Sequence, residues 1–389
     1  MERDRFKDKR GLFKVKIILC SRDFEYGIGT YIFNTLKYYQ NNSDIEKVLV
    51  IGPINDEIRE VTKSLNKIIL YSIADKNNKL ANKQPFFSRN VRKNIISILK
   101  EEKYDLLHLH SPIICDGIDI PILWTIHGLR QTFLVQQKDS KKYSKSFKFI
   151  QKIYSRYDKN TLKHSKKLIF VSKNVMTKSI QILPDINKKS IYLPSPIDSK
   201  LFKKIKSNNF LKDINPENKS ILLYVGRLEV SKGVDLLIDA FNKIENDKLL
   251  LLLIGNGPLS NLIQSNTRIK IIERVNNNQL PEIYSNSEIF ILPSLSENSP
   301  MTILEAISCG LPVIANDTGD INIMIPSGNF IIGDITSSKL YEAIQLILKM
   351  PKQKISKIIE ENRIFINKNY DPERHFNKLV EIYNEILQN

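Results

Sequence analysis

The stretch SEIFILPSLSENSPMTILEAISCGLPVIAND, Ser287 to Asp317, carries the pattern that decides the fold. It begins with an unbroken apolar run, Ile289 to Leu292, of the kind a strand shows when both its faces are buried. Ser299 is a good helix N-cap and Pro300 suits the first helical position. Gly310 and then Pro312 supply stop signals. A second apolar run, LPVIAND, follows. The spacing therefore predicts strand, loop, a helix from about Pro300 to Cys309, and strand again. Two carboxylates flank the helix start: Glu297 in the loop and Glu305 about one and a half turns inside. A helix start behind a parallel strand offers unpaired N–H groups and the positive end of the dipole, a setting for phosphate. Carboxylates repel phosphate, so this pair would serve another part of the same ligand. Vicinal hydroxyls fit, as an acidic residue on a ribose does in dinucleotide sites. Read alone, the pair also fits a capping glutamate beside a solvated one.

The same rhythm runs through the chain. KVKIILC, KVLVIGP, KIILYSI, YDLLHLH, ILWTIHG and KKLIFVS punctuate the first half. SILLYVGRL, KLLLLLIGNG, IKIIERV, SEIFILPS, LPVIAND and NFIIGD punctuate the second. Helical periods fill the intervals, which predicts an α/β protein with two doubly wound parallel sheets. The rhythm breaks at YLPSPIDSKLFKKIKSNNFLKDINPENKS, where prolines and polar residues crowd together. That places an N-terminal domain at 1–200 and a second at 201–369. The remainder, 370–389, reads as an amphipathic helix that packs back on the first domain. No repeat of 20–50 residues is visible.

The 389 residues suit two domains, and the 42% apolar content can supply two cores. Lys and Arg number 59 against 42 Asp and Glu, a formal net charge of +17. Such a surface attracts polyanions, although no nucleic-acid motif is present and no nucleic-acid partner is expected. Cys20, Cys115 and Cys309 are isolated, which suggests a reducing compartment and no structural metal. MERDRFKDKR lacks the apolar core of a signal peptide. The LLLLLI run at 249–254 is far shorter than the ~20 residues that span a bilayer. The expectation is a cytoplasmic protein, at most peripheral on the inner face of a membrane.

One segment, residues 136–167, holds eleven Lys or Arg against two acids. Phe147, Phe149, Ile150, Ile153, Tyr154 and Tyr157 are interleaved with the charges. A basic amphipathic helix of this kind suits an anionic membrane surface. The alternative is a solvated helix whose apolar stripe faces the core.

Other stretches add chemistry. In YVGRLEVSKGVDLL a strand runs into Gly226 and Arg227, then Lys232 and Gly233, then a helix. A guanidinium and an ammonium five residues apart across the turn can neutralise one diphosphate. The spacing is not that of a Walker A loop. IGNGPL lacks the third glycine of a nicotinamide fingerprint, which argues against a dehydrogenase. Gly27 and Gly29 in EYGIGTYIFNTL would let backbone approach a ligand at a strand-to-helix turn, or simply make a tight turn. His127 ends the WTIHG strand, where clefts form in α/β sheets, and could hydrogen-bond a sugar hydroxyl or be structural. His108 and His110 alternate faces on one strand and are poorly placed to chelate one metal.

Taken together these residues resemble the retaining glycosyltransferases of group 1, also called family 4. GRLEVSKG is similar to that family's G-R-x-x-x-x-K-G turn, GNGPL to its G-x-G-P element, and PSLSENSPMTILEAISCGLPVIA to its E-x7-E block. YGIGTY, TIHG, KKLIFVS and YLPSPIDSKLF fall in the family's order. The resemblance implies a GT-B fold, two Rossmann-like domains facing across a cleft. It implies hexose transfer from a nucleotide diphosphate sugar to a hydroxyl of a glycan or glycolipid acceptor, with retention, in cell-envelope or polysaccharide biosynthesis. Arg227 and Lys232 would then hold the donor diphosphate, Glu305 the ribose, and Glu297 the hydroxyls of the transferred sugar. His127 would lie beside that sugar and Gly27 would face the phosphates. Gly226 and Ser299 would line the donor site, and Arg274 would lie near the base. No cofactor or metal is expected, because two protein cations can take over a metal's role and no D-x-D motif is present. The first loop departs from the family's paired glycine with Tyr26-Gly27, the interdomain Asn-Gly is replaced by Ser195-Pro196, and Glu273 stands where glycine is usual. The rival readings are a GT-B nucleotide-sugar epimerase and a non-enzymatic polyanion binder.

Overall fold

The computed structural model describes residues 14–24, 26–73, 83–129, 145–206, 209–260, 267–326 and 329–388. It divides into two compact units, 1–195 with 373–389, and 196–372. The boundary thus falls a few residues before the expected position of 200. The first part of the basic stretch, 136–144, lies outside the described residues.

The first unit holds a seven-stranded parallel sheet in the order β3-β2-β1-β4-β5-β6-β7. These strands are β1 (Val15–Cys20), β2 (Ile45–Gly52), β3 (Ile68–Ser72), β4 (Leu106–Leu109), β5 (Ile122–Ile126), β6 (Lys167–Phe170) and β7 (Ser190–Tyr192). The central strands are buried on both faces, with β4 and β5 sealed along their whole length. That is why they stand in the sequence as unbroken apolar runs. The edge strand β7 is only partly buried, and its three residues, Ser-Ile-Tyr, give no such run.

The C-terminal helix Pro372–Gln388 belongs to this unit. Phe376, Leu379, Val380, Ile382, Tyr383 and Ile386 join a core cluster with Val15, Ile17, Leu19 and Leu106. Each fully buried side chain of this size contributes about 1.5–3 kcal/mol. The helix is therefore a structural part of the first unit rather than an appendage.

The second unit holds a six-stranded parallel sheet, β10-β9-β8-β11-β12-β13. Its strands are β8 (Ser220–Val225), β9 (Leu249–Ile254), β10 (Ile269–Ile272), β11 (Ile289–Leu292), β12 (Val313–Asn316) and β13 (Phe330–Ile332). Beginning at β8, the chain winds outward through β9 and β10, then returns to β11 on the other side of β8. This reversal makes the carboxyl ends of β8 and β11 the topological switch point, where ligands bind in open α/β sheets.

Candidate active site

Two loops leave the switch point of the second unit, Gly226–Gly233 after β8 and Pro293–Pro300 after β11. They are bound to each other. Leu295 N donates to Ser231 O at 2.9 Å. Gly233 sits at φ +65°, between a single 3-10 turn at Val230–Lys232 and the helix Val234–Asn242. A Cβ there would lie 2.2 Å from the Pro293 carbonyl oxygen. Only glycine meets both demands, a left-handed backbone and a neighbouring loop at contact distance.

That contact brings Lys232 to the second loop. Its Nζ donates to Glu297 Oε1 at 2.7 Å, with the two side chains 22% and 14% exposed. The far side of the Glu297 loop is held as well. Asn316 Nδ2 donates to Ser294 O at 2.9 Å, and Asp320 N to Asn298 O at 2.8 Å. Glu297 is thus fixed by backbone on two sides and by an ammonium in front.

Arg227 is exposed, and its Nη2 lies 3.3 Å from Glu229 Oε2. Ser231 Oγ donates to the other oxygen of Glu229 at 2.6 Å, and Tyr224 OH donates to Arg227 O at 2.7 Å. Sequence reasoning does not single out Glu229 and Ser231, although both lie inside the GRLEVSKG motif. Gly226 is approached by the loop after β9, since a Cβ at Gly255 would stand 1.8 Å from Gly226 O. The two glycines of IGNGPL therefore pack that loop onto the β8 turn.

The helix after β11 runs Met301–Ser308, one residue shorter at its start than expected. Pro300, at φ −73° and ψ 117°, is itself the cap residue. Ser299 makes no cap, and its hydroxyl points to Met324 Sδ at 3.4 Å. The proline's extended backbone moves the first helical residue to Met301 and turns the serine aside. Glu305 lies inside the helix, 6% exposed, with Oε2 accepting from Tyr284 OH at 2.9 Å. Burial raises its pKa to about 7, against a lowering by the tyrosine hydrogen bond. Arg274 is exposed beyond the end of β10, two strands away from β8. The structure therefore brings Arg227, Lys232, Glu297 and Gly226 to one pair of loops and sets Arg274 apart.

In the first unit Gly27 is exposed in the opening turn of the helix Tyr26–Asn41, not in a loop ahead of it. His127 follows β5 and is not a lone histidine. Its Nε2 lies 3.1 Å from His110 Nδ1. The Tyr31 ring stands 5.4–5.5 Å from the rings of His110, His127 and His375. Tyr31 OH pairs with His375 Nε2 at 3.0 Å, and His108 bridges Tyr383 OH and Thr125 Oγ1. The expectation that His108 and His110 take opposite faces fails, with ring centroids 4.4 Å apart. Two residues apart on an extended chain they share a face, because side chains alternate with a period of two, and the pairing with β1 continues through His110 N to Cys20 O. Burial, with some help from neighbouring rings, lowers His108 to about 3 and His110 well below the usual value. Burial also lowers His127 to about 4 and His375 to about 3. The cluster is a set of neutral imidazoles at pH 7. Among the described residues no group of three or more His, Cys, Asp or Glu is arranged to hold a metal ion.

The basic helix spans Lys145–His164. Its inward face is mixed: Ser155, Asp158 and Thr161 are buried beside Leu162, which joins the core, and Thr161 Oγ1 exchanges hydrogen bonds with the backbone of Ile113. Phe149, Ile150 and Ile153 are exposed by 64%, 44% and 37%. Lys152, Arg156, Lys159 and Lys163 are exposed along the same helix. These apolar residues do not face the core. No helix among the described residues is long and apolar enough to cross a membrane.

Cations and carboxylates thus gather at the switch point of a doubly wound sheet, and the fold is of the GT-B class. Residues 206–365 match the glycosyl transferases group 1 family and residues 27–200 match Glycosyltransferase Family 4. The chain belongs to the group 1, family 4 glycosyltransferases and is a transferase. It is 25% identical over 342 residues to the UDP-Gal:alpha-D-GlcNAc-diphosphoundecaprenol alpha-1,3-galactosyltransferase of Escherichia coli, covering 78% of this chain and 84% of that protein. It is 23% identical over 251 residues to the putative teichuronic acid biosynthesis glycosyltransferase TuaC of Bacillus subtilis, 60% of this chain and 59% of the relative. Among solved structures, Anabaena HepE in complex with UDP and glucose superposes with a TM-score of 0.73 at 16% identity, over 95% of this chain and 100% of the other. A glycosyltransferase of Rickettsia africae gives 0.72 at 21% identity, over 97% and 99%.

Proposed function

We propose that this enzyme moves a hexose from a nucleotide diphosphate sugar to a hydroxyl of a glycan or lipid-linked glycan, with retention, in the assembly of a cell-envelope polysaccharide. The observation that carries the reading is the Lys232–Glu297 pair at the switch point of the second sheet. Its ammonium is placed for a diphosphate, and the carboxylate keeps Oε2 for hydroxyls of the transferred sugar. Arg227 adds a second cation from the same turn. As the bond to the anomeric carbon breaks, negative charge grows on the departing diphosphate, and cations held in place stabilise it without reorganisation. Two protein cations in this role make the reaction metal-independent. Glu305 binds the ribose, and His127 serves the transferred sugar as a neutral hydrogen-bonding imidazole. Neither glutamate acts as a nucleophile. Gly226 and Ser299 line the donor path on the second unit, Arg274 lies near the base, and on the first unit Gly27 offers backbone to a phosphate.

The names of the relatives support a lipid-linked or envelope acceptor, since one uses an undecaprenol-linked GlcNAc and another is assigned to teichuronic acid synthesis. The outward Phe149, Ile150 and Ile153 among lysines support a chain that rests on an anionic membrane while it meets that acceptor. The test is a panel of nucleotide diphosphates and their sugars, read by thermal shift and then by product analysis with and without EDTA. A stabilising donor, a new glycosidic product and an unchanged rate in EDTA are expected. An altered donor without a new glycosidic bond would show an epimerase instead, and a tenfold loss in EDTA would remove metal independence.

A further inference from the structure

We propose that Tyr284 is a positioning residue for Glu305, holding one carboxylate oxygen so that the other is presented, ionised, to the vicinal hydroxyls of a nucleotide ribose. This rests on the reading of Glu305 as the ribose ligand. The two residues lie on helices that flank β11, Leu280–Ser285 before it and Met301–Ser308 after it. The tyrosine is fully buried. Its ring packs edge-on against Phe202 and Phe290, with centroids 6.2 and 5.7 Å away. A ring gripped on two sides fixes where its hydroxyl stands. That hydroxyl donates to Oε2 at 2.9 Å, while among the described residues Oε1 receives no hydrogen bond.

The hydroxyl also favours the ionised form. A ribose diol donates hydrogen bonds, and an ionised carboxylate accepts them more strongly than a neutral carboxyl does. Burial opposes ionisation of Glu305, and the Tyr284 hydrogen bond is the group that favours it. The phenol itself stays protonated, its pKa raised well above the usual value by burial and by the nearby carboxylate. Cys309, one turn on in the chain, is a neutral thiol at pH 7 with its pKa raised to about 12. Lys204 acts on that cysteine. Without the tyrosine hydroxyl, Glu305 stays protonated to higher pH and its free oxygen loses direction.

The experiment titrates UDP, GDP and ADP, and the 2′,3′-dideoxy form of each, into the wild-type protein by calorimetry from pH 6.0 to 8.5. Tyr284→Phe, Glu305→Gln and the double variant are titrated alongside. For the nucleotide that binds best, Tyr284→Phe is expected to weaken binding about tenfold at pH 7 and to recover most of it by pH 8.5. The dideoxy form should bind wild type and Tyr284→Phe equally, which a general packing defect would not allow. In the Glu305→Gln background Tyr284→Phe should add no further loss. An equal loss for ribose and dideoxy forms, or a loss that does not change with pH, overturns the proposal. If Glu305→Gln binds ribonucleotides as wild type does, the ribose reading of Glu305 falls and this inference with it. If Glu305→Gln loses affinity and Tyr284→Phe does not, the ribose reading stands and the positioning role falls.

Discussion

Lys232 and Glu297, 65 residues apart in the chain, meet through a 2.7 Å hydrogen bond between Nζ and Oε1. Their loops follow neighbouring strands, and the pair is the only link between them made by two side chains of opposite charge among the described residues. A partly exposed ion pair of this kind contributes about 0–1 kcal/mol to stability. A pair that adds so little to folding is a place to test for a ligand role.

Removing either partner should therefore cost activity and little stability. Lys232→Ala is expected to lower kcat about 10²–10³-fold, as loss of one preorganised donor to a developing anion does elsewhere. Glu297→Gln keeps the shape and removes the charge, so its loss should fall on kcat rather than on binding of the free nucleotide. Initial rates and thermal melts on the same preparations check both. Near-native turnover in Lys232→Ala would remove the lysine from the leaving-group site.

Gly233 is the position where a left-handed backbone and a loop-to-loop contact coincide. Gly233→Ala places a methyl group against the Pro293 carbonyl at 2.2 Å and strains a backbone at φ +65°. The expected result is a destabilisation of more than about 1 kcal/mol together with a raised KM for the donor, because the Lys232 loop must back away from the Glu297 loop. A melt and a KM both unchanged would mean that the loops are not held by this contact.

Much of this architecture is legible in the order of the residues alone, for physical reasons. Strands such as Leu249–Ile254 are sealed on both faces, so nothing polar interrupts their run. The short edge strand β7 is half wet and leaves no such mark. Glu297 and Glu305 can be placed because strand, loop and helix follow in one stretch. Their pairings cannot: Lys232 is legible as a cation of the turn but not as the partner of Glu297, and Tyr284, on another helix, gives no sign at all. Ser299 misleads because cap preference is local, whereas the extended Pro300 and the Met324 sulfur decide its direction. His127 gives no sequence sign of its company, because His110, Tyr31 and His375 come from β4's end and from two helices far apart in the chain.

The exposed face of the helix Lys145–His164 predicts lipid-dependent sedimentation. Vesicles with anionic headgroups should pellet the protein and neutral vesicles should not, with the difference shrinking as salt rises. Phe149→Ser with Ile153→Ser should weaken pelleting without changing the melt, since both side chains already face solvent. Equal pelleting by anionic and neutral vesicles, or by neither, would count against a membrane role.

The histidine cluster sets the acid limit of the fold. An unfolded histidine titrates near 6.5, whereas His108 and His375 in the folded protein titrate near 3 and His127 near 4. Below pH 6.5 the unfolded chain takes up protons that the folded chain refuses, so stability falls as the pH falls. Each such group costs about 1.4 kcal/mol per pH unit until its own folded value is reached. Glu305 works the other way. Its pKa is raised to about 7, so it favours the folded state below the normal carboxyl range and loses that effect as pH rises through 7. One carboxyl gaining between pH 7 and the mid-fours cannot offset several histidines losing from 6.5 downward. Denaturant midpoints at pH 7.5, 6.0 and 5.0 should therefore drop steeply below pH 6.5, and His375→Gln should flatten part of that drop. A curve level from pH 7.5 to 5.0 would mean that these imidazoles accept protons in the folded state.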